Sequence, residues 1–159
     1  MTALENIRLY IEYHIALSRK VWESIDQLTD AQFLQDDAYS QGSIHHLMVH
    51  LVSVDRRWLA GLKNLPDAGH LKVEDYPTRS SARAVFESVA KDLTDYMATL
   101  SEQELLANPA DLPSPRMVVL MHMVNHGTDH RATVLQKLNA FGAPSFGQDF
   151  ILWLWNNKK

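Results

Sequence analysis

At 159 residues, 46% hydrophobic and 21% charged, the chain has the length and balance of one globular domain (1–159) and not of a disordered segment. A formal charge of −4, with Lys and Arg scattered apart from Lys158-Lys159, excludes the basic footprint of a nucleic-acid binder. No cysteine is present, which removes disulfides, thiolate ligands and a cysteine nucleophile together and fits a reducing cytoplasm.

Four long helical patterns follow one another, and no stretch alternates as a strand should. The first covers residues 4–28, with Ile7, Ile11, Ser18, Trp22 and Ile25 on one side and His14 in the middle of that stripe. Its charges, Glu5, Arg8 and Glu12, argue against a signal peptide or a membrane span, so the expected compartment is the cytoplasm, with no membrane partner. Thr29-Asp30-Ala31-Gln32 reads as a cap opening a short turn, and residues 36–42 as a polar loop. Ser43 is placed to cap the second helix, residues 43–62, whose expected buried stripe is Leu47, Leu51, Val54 and Trp58. Residues 63–79, with Gly69, Pro66 and Pro77, read as a surface linker. A third helix follows from Ser80 or Ser81 to residue 100, and then a loop with a helical turn at 102–106. Ser114-Pro115 predicts Ser as N-cap and Pro as the first helical residue of a fourth helix, which ends near Ala140 before Gly142 and Pro144. The tail Asp149-Phe150-Ile151-Leu152-Trp153-Leu154-Trp155 is too apolar to be free in water and should pack on the bundle or on a partner subunit. The expected fold is all-α: an up-down four-helix bundle with a short C-terminal helical tail.

The histidines carry the chemistry. His126 and His130 lie four residues apart on the fourth helix, a spacing that lets both imidazoles close on one metal ion. At about 100° per residue, His50 sits roughly 60° from the middle of the second helix's stripe, within reach of the bundle interior. By the same count His46 lies near 100° and His45 points away, so His45 should be solvated. His122 falls on the far side of the fourth helix's apolar arc. Three imidazoles with room for water are the pattern of catalytic zinc, and such a site would sit at the flank of the bundle, in a cleft. An ordinary exposed pair and a hydrogen-bonded core His50 are the bland alternatives.

The segments Leu47-Met48-Val49-His50-Leu51-Val52-Ser53-Val54-Asp55-Arg56-Arg57-Trp58-Leu59 and Met121-His122-Met123-Val124-Asn125-His126-Gly127-Thr128-Asp129-His130-Arg131, closed by Asp149-Phe150-Ile151-Leu152-Trp153-Leu154, resemble the DinB-like (YfiT-related) family of metal-binding four-helix bundles. The resemblance implies a divalent ion, nickel or zinc, held by one histidine of the second helix and two of the fourth. By motif position these are His50, His126 and His130. It also implies a small-molecule substrate and a low-molecular-weight thiol cosubstrate, as in thiol-dependent S-transferases and a maleylpyruvate isomerase. Where the family often has Gly-Gln after the His-Arg pair, this chain has Ala132-Thr133, which leaves the substrate open.

Among the other residues, His14 reads as a pocket wall or as a buried, hydrogen-bonded histidine, and Asp129 as solvated. Arg131 points at the apolar arc, so it should meet a carboxylate, with Asp55 and Asp149 as candidates. A divalent ion lowers the pKa of bound water to roughly 7 and stabilises a bound thiolate likewise, so hydrolysis and thiol transfer are the two reaction classes. The competing reading is a non-enzymatic dimeric metal- or ligand-binding bundle, its site closed by a further ligand such as His46 or His122. A metal-free helical adaptor is a third. Phe150, Trp153 and Trp155 offer more apolar surface than a short tail hides, which predicts a homodimer.

Overall fold

The computed structural model describes residues 1–36 and 42–157. The expected 36–42 loop and the Lys158-Lys159 pair thus fall mostly or wholly outside the described residues. Among those residues every regular element is helical: α1 (Ala3–Ile25), α2 (Asp30–Leu34), α3 (Ile44–Leu62), α4 (Arg79–Thr99), α5 (Glu102–Leu106), α6 (Arg116–Ala140) and α7 (Phe150–Asn157), with a 3₁₀ turn at Val73–Asp75. None of these helices is long and apolar enough to cross a membrane.

Most starts are fixed by side-chain caps. Thr2 with Glu5, Thr29 with Gln32, Thr78 with Ser81 and Ser101 with Glu104 each form a reciprocal box, and Ser43 accepts from the His46 amide. At α6 the expected cap is wrong. Pro115 stays extended (φ −55°, ψ 149°), and no side chain caps the helix. The entry is held instead by Arg116, whose amide donates to Ala107 O (3.1 Å) and whose Nε donates to Leu62 O (3.3 Å).

α1 and α3 each pack on both α4 and α6, so α1 and α3 face each other across the bundle. The core between them includes Trp22, Leu47, Met48, Leu93, Leu120 and Leu138, all essentially inaccessible. On α3 the buried face overlaps the expected one only in part: Leu47 and Leu51 are buried, as expected. Val54 and Trp58 are only partly buried, while Met48, Val52, Asp55 and Leu59 are deep. At about 100° per residue the centre of these four lies roughly 100° round from the expected stripe. That rotation brings His45 under cover, contrary to the expectation that it is solvated. His45 is 6% exposed, bonded through Nε2 to Tyr76 O (2.7 Å) and set beside the Phe33 ring. The segment after α3 supplies the cover. Leu71 N donates to Ser53 Oγ (2.9 Å) and Arg56 Nη1 to Ala68 O (3.1 Å), strapping the linker over a face of α3 that would otherwise be outer.

The tail divides its apolar surface. Phe150 packs edge-on to Tyr10 and Tyr13, and Trp153 edge-on to Tyr13, which seats α7 on α1. Ile151, Leu152 and Trp155 face outward.

Candidate metal centre

α3 and α6 pack side by side, and the three histidines expected from the sequence meet where they do. Ring centroids are 4.3 Å apart for His126 and His130, 4.8 Å for His50 and His130, and 5.5 Å for His50 and His126. One nitrogen from each lies within 4.8 Å of the others, so the group could hold a single ion. His130 is buried, and His50 and His126 are half-buried, which matches a site on the flank of the bundle.

The electrostatics favour the neutral, ligating form. Burial, then the neighbouring His130 and His50, push the His126 pKa from 6.5 to about 4. Burial, then His130, His46 and His70, lower His50, and burial lowers His130 against the opposing charge of Asp129. Imidazoles that resist protonation are ready donors to a cation. His126 Nδ1 is also buried without a hydrogen-bond partner, a cost that a bound ion would relieve. The donor set and the orphaned nitrogen therefore fit a divalent metal.

Behind the pair runs a buried polar chain. Arg131 is fully inaccessible, and its Nη1 donates to His14 Nδ1 (2.9 Å). Because a guanidinium can only donate, His14 must accept at Nδ1 and carry its proton on Nε2, which donates to Asp55 Oδ2 (2.9 Å). Arg131 also donates to Gln148 Oε1 (2.8 Å), Ser18 Oγ (3.2 Å) and Thr128 Oγ1 (3.2 Å). The expected direct carboxylate partner is thus replaced by a relay. Asp55 is reached through His14, and Asp149 is occupied elsewhere, its Oδ1 accepting from the Ile151 and Leu152 amides at the start of α7. His14 is accordingly a buried, hydrogen-bonded histidine, outside the three-histidine group. His46 is exposed and also outside that group.

Gly127 makes the relay possible. A Cβ there would stand 2.3 Å from His14 Cε1 and 2.8 Å from Arg131 Nη1. Sequence reasoning passed over this residue, although a glycine inside a long helix costs about 1 kcal/mol and signals close approach.

A cavity of about 490 Å³ opens beside the group, lined by His126, His122 and Trp58 together with the linker and the loop before α6. His122 is exposed, off the apolar arc as expected, and lies on this cleft with its ring centroid 5.3 Å from Trp58 and 5.9 Å from His126. The α3 rotation explains Trp58: a residue read as core becomes a cleft wall.

Comparison with known proteins bears on the family and the fold. A family model described as the DinB family matches residues 2–158. Protein DinB of Bacillus subtilis (strain 168) is 26% identical over 164 residues, covering 95% of this chain and 94% of that protein. The crystal structure of a DinB-like protein from Bacillus cereus ATCC 10987 superposes with a TM-score of 0.59 at 20% identity, over 82% of this chain and 89% of the other, which speaks to the fold alone.

Proposed function

We propose that this chain, which belongs to the DinB family, binds one divalent ion, nickel or zinc, through His50, His126 and His130 and transfers a low-molecular-weight thiol to a small electrophile. The observation that carries the proposal is the convergence of three uncharged imidazoles, one with a buried nitrogen that has no partner, at the edge of an open cleft. An ion held there supplies Lewis acidity, which lowers the pKa of a thiol or water. The residues around it supply position. The Arg131–His14–Asp55 relay pins α6 to α1 and across to α3, which fixes the angle at which His126 and His130 meet His50. The cleft admits the substrate from the side of Trp58 and His122. In the transfer the sulfur bonds to the electrophilic carbon, the thiol proton goes to solvent, and the leaving group departs with its bonding pair. With no cysteine in the chain, the sulfur must come from a cosubstrate.

Elemental analysis of protein purified without an affinity tag tests the first half. About one equivalent of metal is expected, reduced several-fold by each of His50→Ala, His126→Ala and His130→Ala; unchanged stoichiometry in all three ends the idea. Nickel and copper outcompete other divalent ions for nitrogen ligands whatever the cell supplies, so reconstitution with zinc and nickel should accompany the measurement. The second half needs metal-loaded, chelated and His126→Ala protein side by side on model electrophiles with several thiols. Equal rates in all three would separate the metal from the chemistry and leave a binding protein.

A further inference from the structure

The cleft beside His126 has a composition that selects what can enter it. Its volume, about 490 Å³, is that of a small-molecule site. Val54, Leu65, Pro66 and Leu112 give it apolar walls. Trp58 and His122 stand nearly perpendicular (78°) at 5.3 Å and provide an aromatic side that a flat ring can stack on or meet edge-on.

The charges at the rim are arranged against anions. Arg57 is the only cation lining the cleft among the described residues, and it is engaged: Nε and Nη2 bond both oxygens of Asp67 (2.9 and 2.7 Å), and Nη1 bonds His70 Nε2 (2.5 Å). Asp67 is held in turn by the Gly69 amide (3.0 Å), so an incoming carboxylate would have to displace a carboxylate that is already doubly tied. With Asp111 also on the rim, one positive charge faces two negative ones. A cation gains little further in: Asp67 and Asp111 are both exposed at the rim, and beyond them the walls are apolar and carry no carboxylate to offset the desolvation of an ammonium.

We propose that this cleft binds uncharged, flat apolar compounds of one or two fused rings, held between Leu112 and the Trp58–His122 pair with one end against His126. This deepens the transfer reading by naming the class of electrophile, but binding itself does not need the metal.

The test uses the full chain without metal and calorimetric titration with 2-naphthamide, 2-naphthoate and 2-naphthylmethylamine at neutral pH. The neutral amide should bind at least tenfold more tightly than either charged analogue. Leu112→Trp, which fills the cleft, and Trp58→Ala, which removes its wall, should each weaken the amide at least tenfold while far-UV spectra stay unchanged. His50→Ala should keep amide affinity within a few fold even as it loses metal, so the failure of the metal reading and the failure of this one are separable. Undetectable amide binding, equal or tighter binding of the anion or the cation, or amide affinity unaltered in Leu112→Trp each overturns the proposal.

Discussion

Gly127 is the residue on which the buried polar chain depends. It lets the His14 ring lie against the backbone of α6, and through His14 the guanidinium of Arg131 is linked to Asp55 across the bundle. A methyl at 2.3 Å from Cε1 and 2.6 Å from Nδ1 of His14 cannot be absorbed by a flexible end, because that ring is bonded on both sides. Gly127→Ala should therefore destabilise despite the better helix propensity of alanine. The expected cost is about 3 kcal/mol from overpacking, offset by about 1 kcal/mol of propensity. A thermal melt in which Gly127→Ala equals or exceeds the parent would refute the clash. At this scale the His126–His130 pair was legible, because i,i+4 spacing is a property of the chain alone, whereas His50 joined it only through the motif resemblance. The partner of Arg131 was not. Periodicity shows that a charge is buried, but which of two aspartates neutralises it depends on what else each carboxylate must satisfy, and Asp149 is committed to α7.

At the scale of elements, the two short helices with reciprocal caps were legible almost to the residue, the long ones to within about three residues, and the faces less well. α2 and α5 start where Thr29 and Ser101 place them, since a cap satisfies its own helix's amides without outside help. α3 shows the contrary case. Its amphipathic pattern is broad, and the decision between two nearby faces is made by the strapped linker, a tertiary contact invisible in a window of 19 residues. α7 offers a direct test of local control. Asp149 Oδ1 accepts from the Ile151 and Leu152 amides at 3.1 and 3.2 Å, and its carbonyl accepts from Trp153. Asp149→Ala should loosen the first turn by about 1 kcal/mol. Hydrogen exchange should rise about fivefold at residues 151–153 and stay unchanged in α3 and α6. Exchange that rises throughout the bundle would show that Asp149 holds more than α7.

For the whole molecule, the three imidazoles couple folding to pH when no metal is bound. His126 is held at about 4 when folded, against 6.5 for an ordinary histidine, and His50 and His130 shift in the same direction. Between those values the unfolded chain binds more protons than the folded one, so stability rises with pH across that window. The contribution is complete above about pH 6.5 and is lost as pH falls toward 4. Urea midpoints of metal-free protein should drop from pH 7.5 to pH 5, and His126→Ala should reduce that drop, which separates it from carboxylate titration. A drop of the same size in the variant would assign the effect to other groups.

The outer half of α7 bears on assembly. Ile151, Leu152 and Trp155 are 43, 51 and 63% exposed, and Val118 and Met121 on α6 add 46 and 48%. Next to them a groove of about 560 Å³ runs between α1 and α6, lined by Met1, Ile7, Tyr10, Met117 and Phe150. Exposed apolar side chains and an apolar groove that share α6 and α7 are what a two-fold interface can bury, because each copy then offers the other both halves of the contact. We expect a homodimer in which this face is buried and the three-histidine site, on the α3–α6 flank, remains accessible. Light scattering should give twice the 18.1 kDa chain mass at micromolar concentration. Leu152→Glu with Trp155→Glu should return it to one chain mass with metal content intact, since both side chains are exposed and neither belongs to the three-histidine group. A monomer mass for the unmodified chain would show that these side chains stay in water, and a dimer that survives both substitutions would place the interface on another face.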